Sequence, residues 1–103
     1  MVRVSVLYPN KQGGRFDMDY YLTKHMPMVR EKLGAALKGV AVEQGISGMA
    51  PNSAPEFVTM CHLLFDSRAA HDAAVAPHQA ALVGDIPNFT DIEPRFQFSD
   101  VKL

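Results

Sequence analysis

The chain has 103 residues, a formal charge of -1 and a hydrophobic content of 48%. This length suits one domain of ordinary size, so we expect residues 1–103 to form a single domain. The near-neutral charge provides no basic surplus that would favour a nucleic-acid backbone or an anionic membrane surface as a partner.

The first predicted elements are a strand and a helix joined by a turn. Alternating residues in VRVSVLY are typical of a strand, and PNKQGGR then predicts a turn. Beyond the turn, apolar residues recur every three or four positions, as they do on one face of a helix. They are Met18, Leu22, Met26, Val29 and Leu33. Asp17 is the expected N-cap of this helix and Gly34 its expected end.

Pro27 interrupts the first helix. Proline has no amide proton, so the carbonyl of Thr23 loses its helical partner and the helix should kink or restart. In one interpretation, Pro27 simply opens a second helical piece. In the other, the break lifts the helix from the sheet and opens a cleft lined by Tyr21 and His25.

The middle of the chain predicts two strands separated by a loop. LKGVAVEQGI is a weak strand interrupted by glycine, and SGMAPNSAPE is the clearest loop of the chain. FVTMCHLLF is a strand with apolar residues at both odd and even positions. This pattern indicates that both faces of the third strand are buried.

The last third of the chain predicts a helix and a final strand. DSRAAHDAAVA favours a helix capped by Asp66 or Ser67, with a short continuation that restarts at Pro77. GDIPNFTDIEP then predicts a second irregular segment, after which RFQFSDV alternates again and closes the chain as a strand.

The element order β-α-β-β-α-β predicts an α+β, ferredoxin-like fold, with a four-stranded antiparallel sheet and two helices on one face. The other sheet face would then be bare and would expose residues such as Leu7 and Phe96. Soluble monomers rarely expose large apolar patches, and a second copy related by a two-fold axis would cover this one. We therefore expect a homodimer. The sequence leaves open which residues of each strand face the helices.

Histidine and tyrosine are the candidate chemical groups. Tyr21 and His25 are four positions apart and share one helical face, where they form either a general acid-base pair or a structural hydrogen bond. His62 lies among apolar strand residues, as either a satisfied core residue or a catalyst. We expect His71 on the surface, whereas His78 could face a cleft from the second helix.

No cofactor or metal ion is expected. The chain contains no HxxxH, HExxH or CxxC pattern and neither of the glycine-rich nucleotide-binding loops. Cys61, the single cysteine, lies in an apolar run and is expected to be a buried, inert thiol. The apolar runs are too short to span a membrane, and MVRVSVLY does not resemble a secretory signal, so a cytoplasmic protein is expected.

The run FDMDYYLTKHMPMV, followed by CHLLFDS and an alanine-rich helix, resembles the EthD family, named for ethyl tert-butyl ether degradation. The resemblance extends from VSVLYP to PRFQF. It implies a dimeric α+β barrel, in which two ferredoxin-like sheets pack face to face. The positions that match the family pattern are Tyr20, Tyr21, His25, Pro27 and His62.

Similar barrels include muconolactone isomerases, cofactor-free anthrone oxygenases and polyketide cyclases, and EthD-like proteins are commonly labelled oxidoreductases. The resemblance thus implies a small cofactor-independent enzyme of the oxidoreductase, isomerase or cyclase type. Its expected substrate is an apolar, carbonyl-containing small molecule of bacterial catabolism or secondary metabolism.

In that hypothesis His25 moves the proton, while Tyr21 orients His25 or stabilises the developing oxyanion. Tyr20, His62, His78 and Phe89 are the further pocket candidates. The phenylalanines expected to supply apolar lining are Phe16, Phe57, Phe65, Phe89 and Phe96. The alternative hypothesis is a non-catalytic dimeric module that binds a hydrophobic metabolite or assists an oxygenase system.

Overall fold

The computed structural model describes all residues, 1–103, and follows the predicted element order. The strands are β1 (Val2–Pro9), β2 (Gly39–Gln44), β3 (Phe57–Phe65) and β4 (Arg95–Asp100). The helices are α1 (Met18–Tyr20), α2 (Met26–Leu33), α3 (Arg68–Val75) and α4 (Gln79–Gly84). A π-helical turn, Tyr21–His25, joins α1 to α2, and short 3-10 turns span Gly34–Ala36, Ala76–His78 and Ile86–Asn88. None of these helices has the length and apolar character needed to span a membrane.

The four strands form one antiparallel sheet in the order β2-β3-β1-β4. This is the ferredoxin-like arrangement predicted from the element order. Val4 pairs with Leu63 on β3 and with Phe98 on β4, so these three side chains lie on the same sheet face. Because α2, α3 and α4 pack over that face, it forms one side of the apolar core.

The register determines which residues face the helices. Val4, Tyr8, Cys61 and Phe65 are buried beneath them. The opposite set is only partly buried, since no element of the chain covers that face; it includes Leu7, Val58, Met60 and Leu64. Phe96 was expected on the bare sheet face, and this prediction was wrong. Phe96 pairs with Val6 on the helix-covered face and is exposed because β4 is an edge strand.

The first helix begins as predicted, but a π-helical turn precedes Pro27. The Asp17 carboxylate accepts the amide of Tyr20, which is the expected N-cap. The restart at Pro27 is confirmed, since Pro27 lies in the first turn of α2, where its missing amide costs nothing. Before it, the amide of Met26 donates to the carbonyl of Tyr21, five residues back, as in a π helix.

The π turn changes which side chains face the core. Tyr21 and His25 are buried, followed by Met26, Val29 and Leu33 of α2. Leu22, expected on the buried face, is instead half exposed. The prediction assumed a uniform helical period, and the wider π turn rotates the face that follows it.

The structure also tests the predictions for the start of α3, its continuation and the end of α2. Ser67, rather than Asp66, caps α3 by accepting the amide of Ala70. The helix then passes through the 3-10 turn that contains Pro77 and continues as α4. Gly34 ends α2 with a positive φ of 55°, a conformation that favours glycine.

Candidate functional site

A cavity of about 330 Å³ lies between the sheet and the helices. Of the 18 residues that line it, 15 are hydrophobic, and the polar ones are His25, His71 and Gln79. Its sheet wall is formed by Val4, Val6, Tyr8, Cys61, Leu63, Phe96 and Phe98. A mostly apolar cavity with a few polar groups is typical of a small-molecule site.

His25 is the buried polar group in the helical wall of this cavity. Its Nδ1 atom lies 2.9 Å from Oδ2 of Asp85, which is 60 residues away in the chain. The π turn places the imidazole over the sheet, and the 3-10 turn after α4 presents the carboxylate. A histidine of the first helix is thereby joined to an aspartate that follows the second.

Asp85 accepts hydrogen bonds on both of its oxygens. Tyr20 Oη donates to Oδ1 at 2.7 Å, and Asn88 Nδ2 donates to the same oxygen at 2.9 Å. Burial tends to raise the pKa of Asp85, but the hydrogen bonds from Asn88, His25 and Tyr20 outweigh it and lower this pKa. Asp85 is therefore a carboxylate at neutral pH.

The ionised Asp85 determines the tautomer of His25. A carboxylate can only accept hydrogen bonds, so Nδ1 of His25 carries the proton and Nε2 of the neutral ring holds the free lone pair. Among side-chain polar atoms sealed from solvent, only Thr59 Oγ1 lacks a hydrogen-bond partner. Nε2 of His25 also has no partner within the chain, so it is not one of the sealed atoms, and His25 lines the cavity.

Tyr21 contacts His25 through its ring rather than through a hydrogen bond. The two rings stack with their centroids 5.4 Å apart and their planes 15° apart. Orienting His25 was one of the two roles predicted for Tyr21, but Asp85 makes the orienting hydrogen bond. Burial, followed by the nearby Cys61, raises the pKa of both Tyr21 and Tyr8. Both phenols stay neutral near physiological pH and line the cavity as potential hydrogen-bond donors.

Phe89 supports the site from behind instead of lining the cavity. It is fully buried, and its ring centroid lies 4.7 Å from that of His25 and 4.9 Å from that of Tyr21. Tyr20 also stacks on Phe89, and its hydroxyl donates to Asp85. Of the phenylalanines expected to line a pocket, only Phe96 does so; the others pack elsewhere in the chain.

His62 lies on the opposite face of the sheet from His25. Its Nδ1 is 2.8 Å from Ser5 Oγ, and its Nε2 is 3.4 Å from Oε1 of Glu43. His78, at the end of the 3-10 turn after α3, is also absent from the cavity wall. The structure therefore does not bring these two predicted pocket residues to His25. No three His, Cys, Asp or Glu side chains come together as the ligands of a metal ion would.

His71 was expected on the surface, yet it lines the cavity. Its Nδ1 lies 2.8 Å from Oδ1 of Asp72, and only 17% of its side chain is exposed. The sequence did contain a signal for this position. His71 and Val75 are four residues apart on α3, so they share a helical face, and both line the cavity.

The comparisons with known proteins identify the family and agree with the fold. The family model described as the EthD domain matches residues 15–93. An EthD-like protein from Ralstonia eutropha is 44% identical, with 99% of this chain and 92% of that chain covered and a TM-score of 0.95. The chain belongs to the EthD family. The matched residues include the π turn, Asp85 and His71.

More distant structures share the fold of this EthD protein. An EthD family protein from Bacillus halodurans is 21% identical over 99% of both chains, with a TM-score of 0.75. HapK from Hahella chejuensis is 13% identical, with 97% of this chain and 92% of that chain covered and a TM-score of 0.60. No match was found among curated proteins.

Sequence reasoning also missed Asp85, the partner of His25. It lies in GDIPNF, which predicted only an irregular segment. The carboxylate becomes significant because the fold brings α4 and the following turn next to α1 and the π turn. Local periodicity carries no information about such a long-range contact.

Proposed function

We propose that this EthD protein is a cofactor-independent enzyme that moves a proton on an apolar, carbonyl-containing small molecule. The observation that carries the proposal is the imidazole of His25, held by Asp85 at the wall of an apolar cavity. A general base needs a free lone pair, a fixed orientation and access to substrate. The unpaired Nε2 of His25 and the hydrogen bond at Nδ1 support all three requirements.

The proposed step begins with removal of a proton α to the substrate carbonyl by Nε2 of His25. The electron pair of the C–H bond moves into the carbonyl, which gives an enolate, and His25 becomes an imidazolium beside Asp85. The imidazolium then returns a proton to carbon or oxygen. Return to a different atom makes the reaction an isomerisation, and attack of the enolate carbon on a second carbonyl in the substrate makes it a cyclisation.

The two buried phenols support the enolate. Tyr8 and Tyr21 stay neutral because burial, with Cys61 as a further cause, raises their pKa values. A neutral phenol can donate a hydrogen bond to an oxyanion, and such a bond is strong where water is excluded. We assign Tyr21 this role, since its ring already stacks on His25.

A proton-exchange assay tests the proposal without the natural substrate. The probe is β-tetralone, a bicyclic ketone with acidic protons α to its carbonyl, incubated with the protein in D₂O and followed by NMR. The wild-type protein should accelerate deuterium uptake, and His25→Ala should lower the accelerated rate by roughly two to four decades. His78→Ala is the matched control, because His78 lies outside the cavity. Equal rates in wild-type and His25→Ala protein would refute the role of His25.

The apolar lining also favours the second candidate, a module that binds a hydrophobic metabolite without turnover. Fifteen of the 18 lining residues would contribute to binding in either case. The same assay separates the candidates, because a module should shift the NMR signals of β-tetralone or of the cavity residues without accelerating exchange. A rate that depends on His25 would exclude this alternative.

We also propose that two copies associate through the sheet face that lacks helices. That face presents Leu7, Met60 and Leu64 and no covering element. Its edge strands carry opposite charges, Glu43 on β2 and Arg95 on β4. A two-fold axis along the strands would place the acidic edge of one copy over the basic edge of the other.

Light scattering tests this association. The wild-type protein should have the mass of two chains at micromolar concentration, and Leu7→Lys should shift it toward one chain, because the new charge would be buried between Met60 and Arg95 without an acidic cross-strand partner. Leu22→Lys is the control, since Leu22 is a half-exposed apolar residue on the helical side. A wild-type mass of one chain would contradict the proposal.

A further inference from the structure

The cavity has polar groups at two separate places along the sheet. Tyr21 packs against Tyr8 near the end of β1, with ring centroids 6.1 Å apart, and Tyr21 stacks on His25. His71 instead packs against Phe98 and Phe65, and Phe98 pairs with Val4 near the start of the same strand. Four residues of strand, about 13 Å, separate these two places.

The ring of His71 is held in a defined orientation. Phe65 and Phe98 meet it edge to face, with centroid distances of 5.0 and 4.8 Å and interplanar angles of 90° and 86°. Arg68 lies over Phe98, with its guanidinium carbon 3.6 Å from the ring centroid, and also contacts Asp72. These contacts restrict the rotation of the His71 ring, whereas a surface histidine without packing partners would rotate freely.

The partner of His71 determines what its free nitrogen can bind. The hydrogen bond from His71, which is the largest cause, and the nearby Arg68 lower the pKa of Asp72, so Asp72 is ionised at neutral pH. As at His25, the carboxylate can only accept, so Nδ1 of His71 donates and Nε2 of the neutral ring is an acceptor. Asp72 is exposed whereas His71 lines the cavity, and Nε2 of His71 has no hydrogen-bond partner within the chain.

We propose that His71 forms a second polar subsite, which binds the hydroxyl group at the far end of an elongated apolar ligand. A neutral imidazole nitrogen accepts a hydrogen bond from a phenol or alcohol, and the cavity between the two histidines is lined by apolar side chains. The ligand class is therefore an aromatic or polycyclic molecule with a carbonyl at one end and a hydroxyl at the other. The assignment of the carbonyl end to His25 rests on the proposed function, whereas hydroxyl binding at His71 requires no turnover.

Binding of two matched probes tests the subsite. β-Naphthol carries one hydroxyl, and 2,6-dihydroxynaphthalene carries one at each end of the same ring system. The wild-type protein should bind the dihydroxy probe about three- to tenfold more tightly, the gain from one additional hydrogen bond. His71→Phe keeps an aromatic ring without the acceptor and should abolish this preference. His78→Phe should retain it, because His78 lies outside the cavity.

An NMR measurement on the wild-type protein keeps the test independent of variant folding. The ring-proton signals of His71 should shift on addition of 2,6-dihydroxynaphthalene, and His71→Leu, which also lacks a hydrogen-bond acceptor, provides a second variant. The subsite would be overturned if tighter binding of the dihydroxy probe persists in both variants, or if the NMR shifts are confined to His25. Failure of the wild-type protein to bind either probe would also overturn it. If the preference is found but β-tetralone exchange is absent, the proposed proton transfer fails while the subsite stands.

Discussion

Replacing Asp85 by asparagine tests the proton transfer that we propose for His25. The substitution keeps the shape of the side chain and one acceptor for Nδ1 of His25, but it removes the negative charge. The amide nitrogen of the new side chain would face the donors Tyr20 and Asn88. Tyr20 can rotate its hydroxyl to accept, and the exposed Asn88 can turn to solvent, so the fold should persist.

The expected loss of rate follows from the lost charge. The step creates an imidazolium whose charge lies about 4 Å from the carboxylate, and such a pair is worth about 4 kcal/mol at an effective dielectric constant of about 20. The side chains are 9% and 15% exposed, and the asparagine oxygen retains part of the interaction. We therefore expect a loss of about 2 to 3 kcal/mol, or a fall in proton-transfer rate of roughly 30- to 150-fold.

The assay is deuterium uptake by β-tetralone at fixed protein concentration, with binding of the probe measured separately. Asp85→Asn should lower the rate while leaving the affinity within about threefold of wild type, because Asp85 does not line the cavity. Asp91→Asn is the matched control, since Asp91 is a loop carboxylate that accepts the amide of Arg15 away from the cavity. A rate for Asp85→Asn equal to that of the control would refute this reasoning.

Three further predictions concern stability. Phe89→Ala should lower the free energy of unfolding by about 3 to 5 kcal/mol in urea titrations, because the fully buried ring contacts the surrounding aromatic cluster. Gly34→Ala should cost about 1 to 3 kcal/mol through its positive φ, whereas Gly84→Ala, in α4, should be neutral or stabilising. Asp85 has a lowered pKa, so its stabilising contribution is present above about pH 4 and lost as the pH falls through that pKa. Asp85→Asn should therefore lose less stability than wild type on acidification.

Each of these predictions has an outcome that contradicts it. A small effect of Phe89→Ala would mean that the cluster does not depend on this ring. Equal effects at Gly34 and Gly84 would show that the positive φ is not the cause, since both positions have free space for a methyl group. Parallel acid-unfolding curves for wild type and Asp85→Asn would exclude Asp85 as a source of the pH dependence.

The residues that were correctly predicted are those whose signals are local. Asp17 and Ser67 were identified as possible caps because a short polar side chain before a helical stretch can satisfy a free amide. The third strand was predicted with the bounds Phe57–Phe65 that the structure shows. Alternation and helical spacing depend on neighbouring positions, so they determined the order of elements and hence the ferredoxin-like fold.

The predictions that failed needed information from distant parts of the chain. Leu22 was assigned to the core because the π turn that rotates the helix face was not foreseen. His62 was grouped with His25, although the register of β3 against β1 places it on the other side of the sheet. A strand residue changes face with each step along the chain, so the side it occupies depends on pairing that sequence spacing does not specify.

The sequence by itself determined the element order, the capped helix starts, the break at Pro27 and the family pattern around Tyr21 and His25, because these are properties of short contiguous stretches. Only the tertiary structure decided that Asp85 orients His25, that His71 enters the same cavity and that Phe89 supports the site from behind. These contacts join residues far apart in the chain. Their geometry exists only once the helices have packed on the sheet, because this packing brings His25 next to Asp85 and places its imidazole at the wall of an apolar cavity.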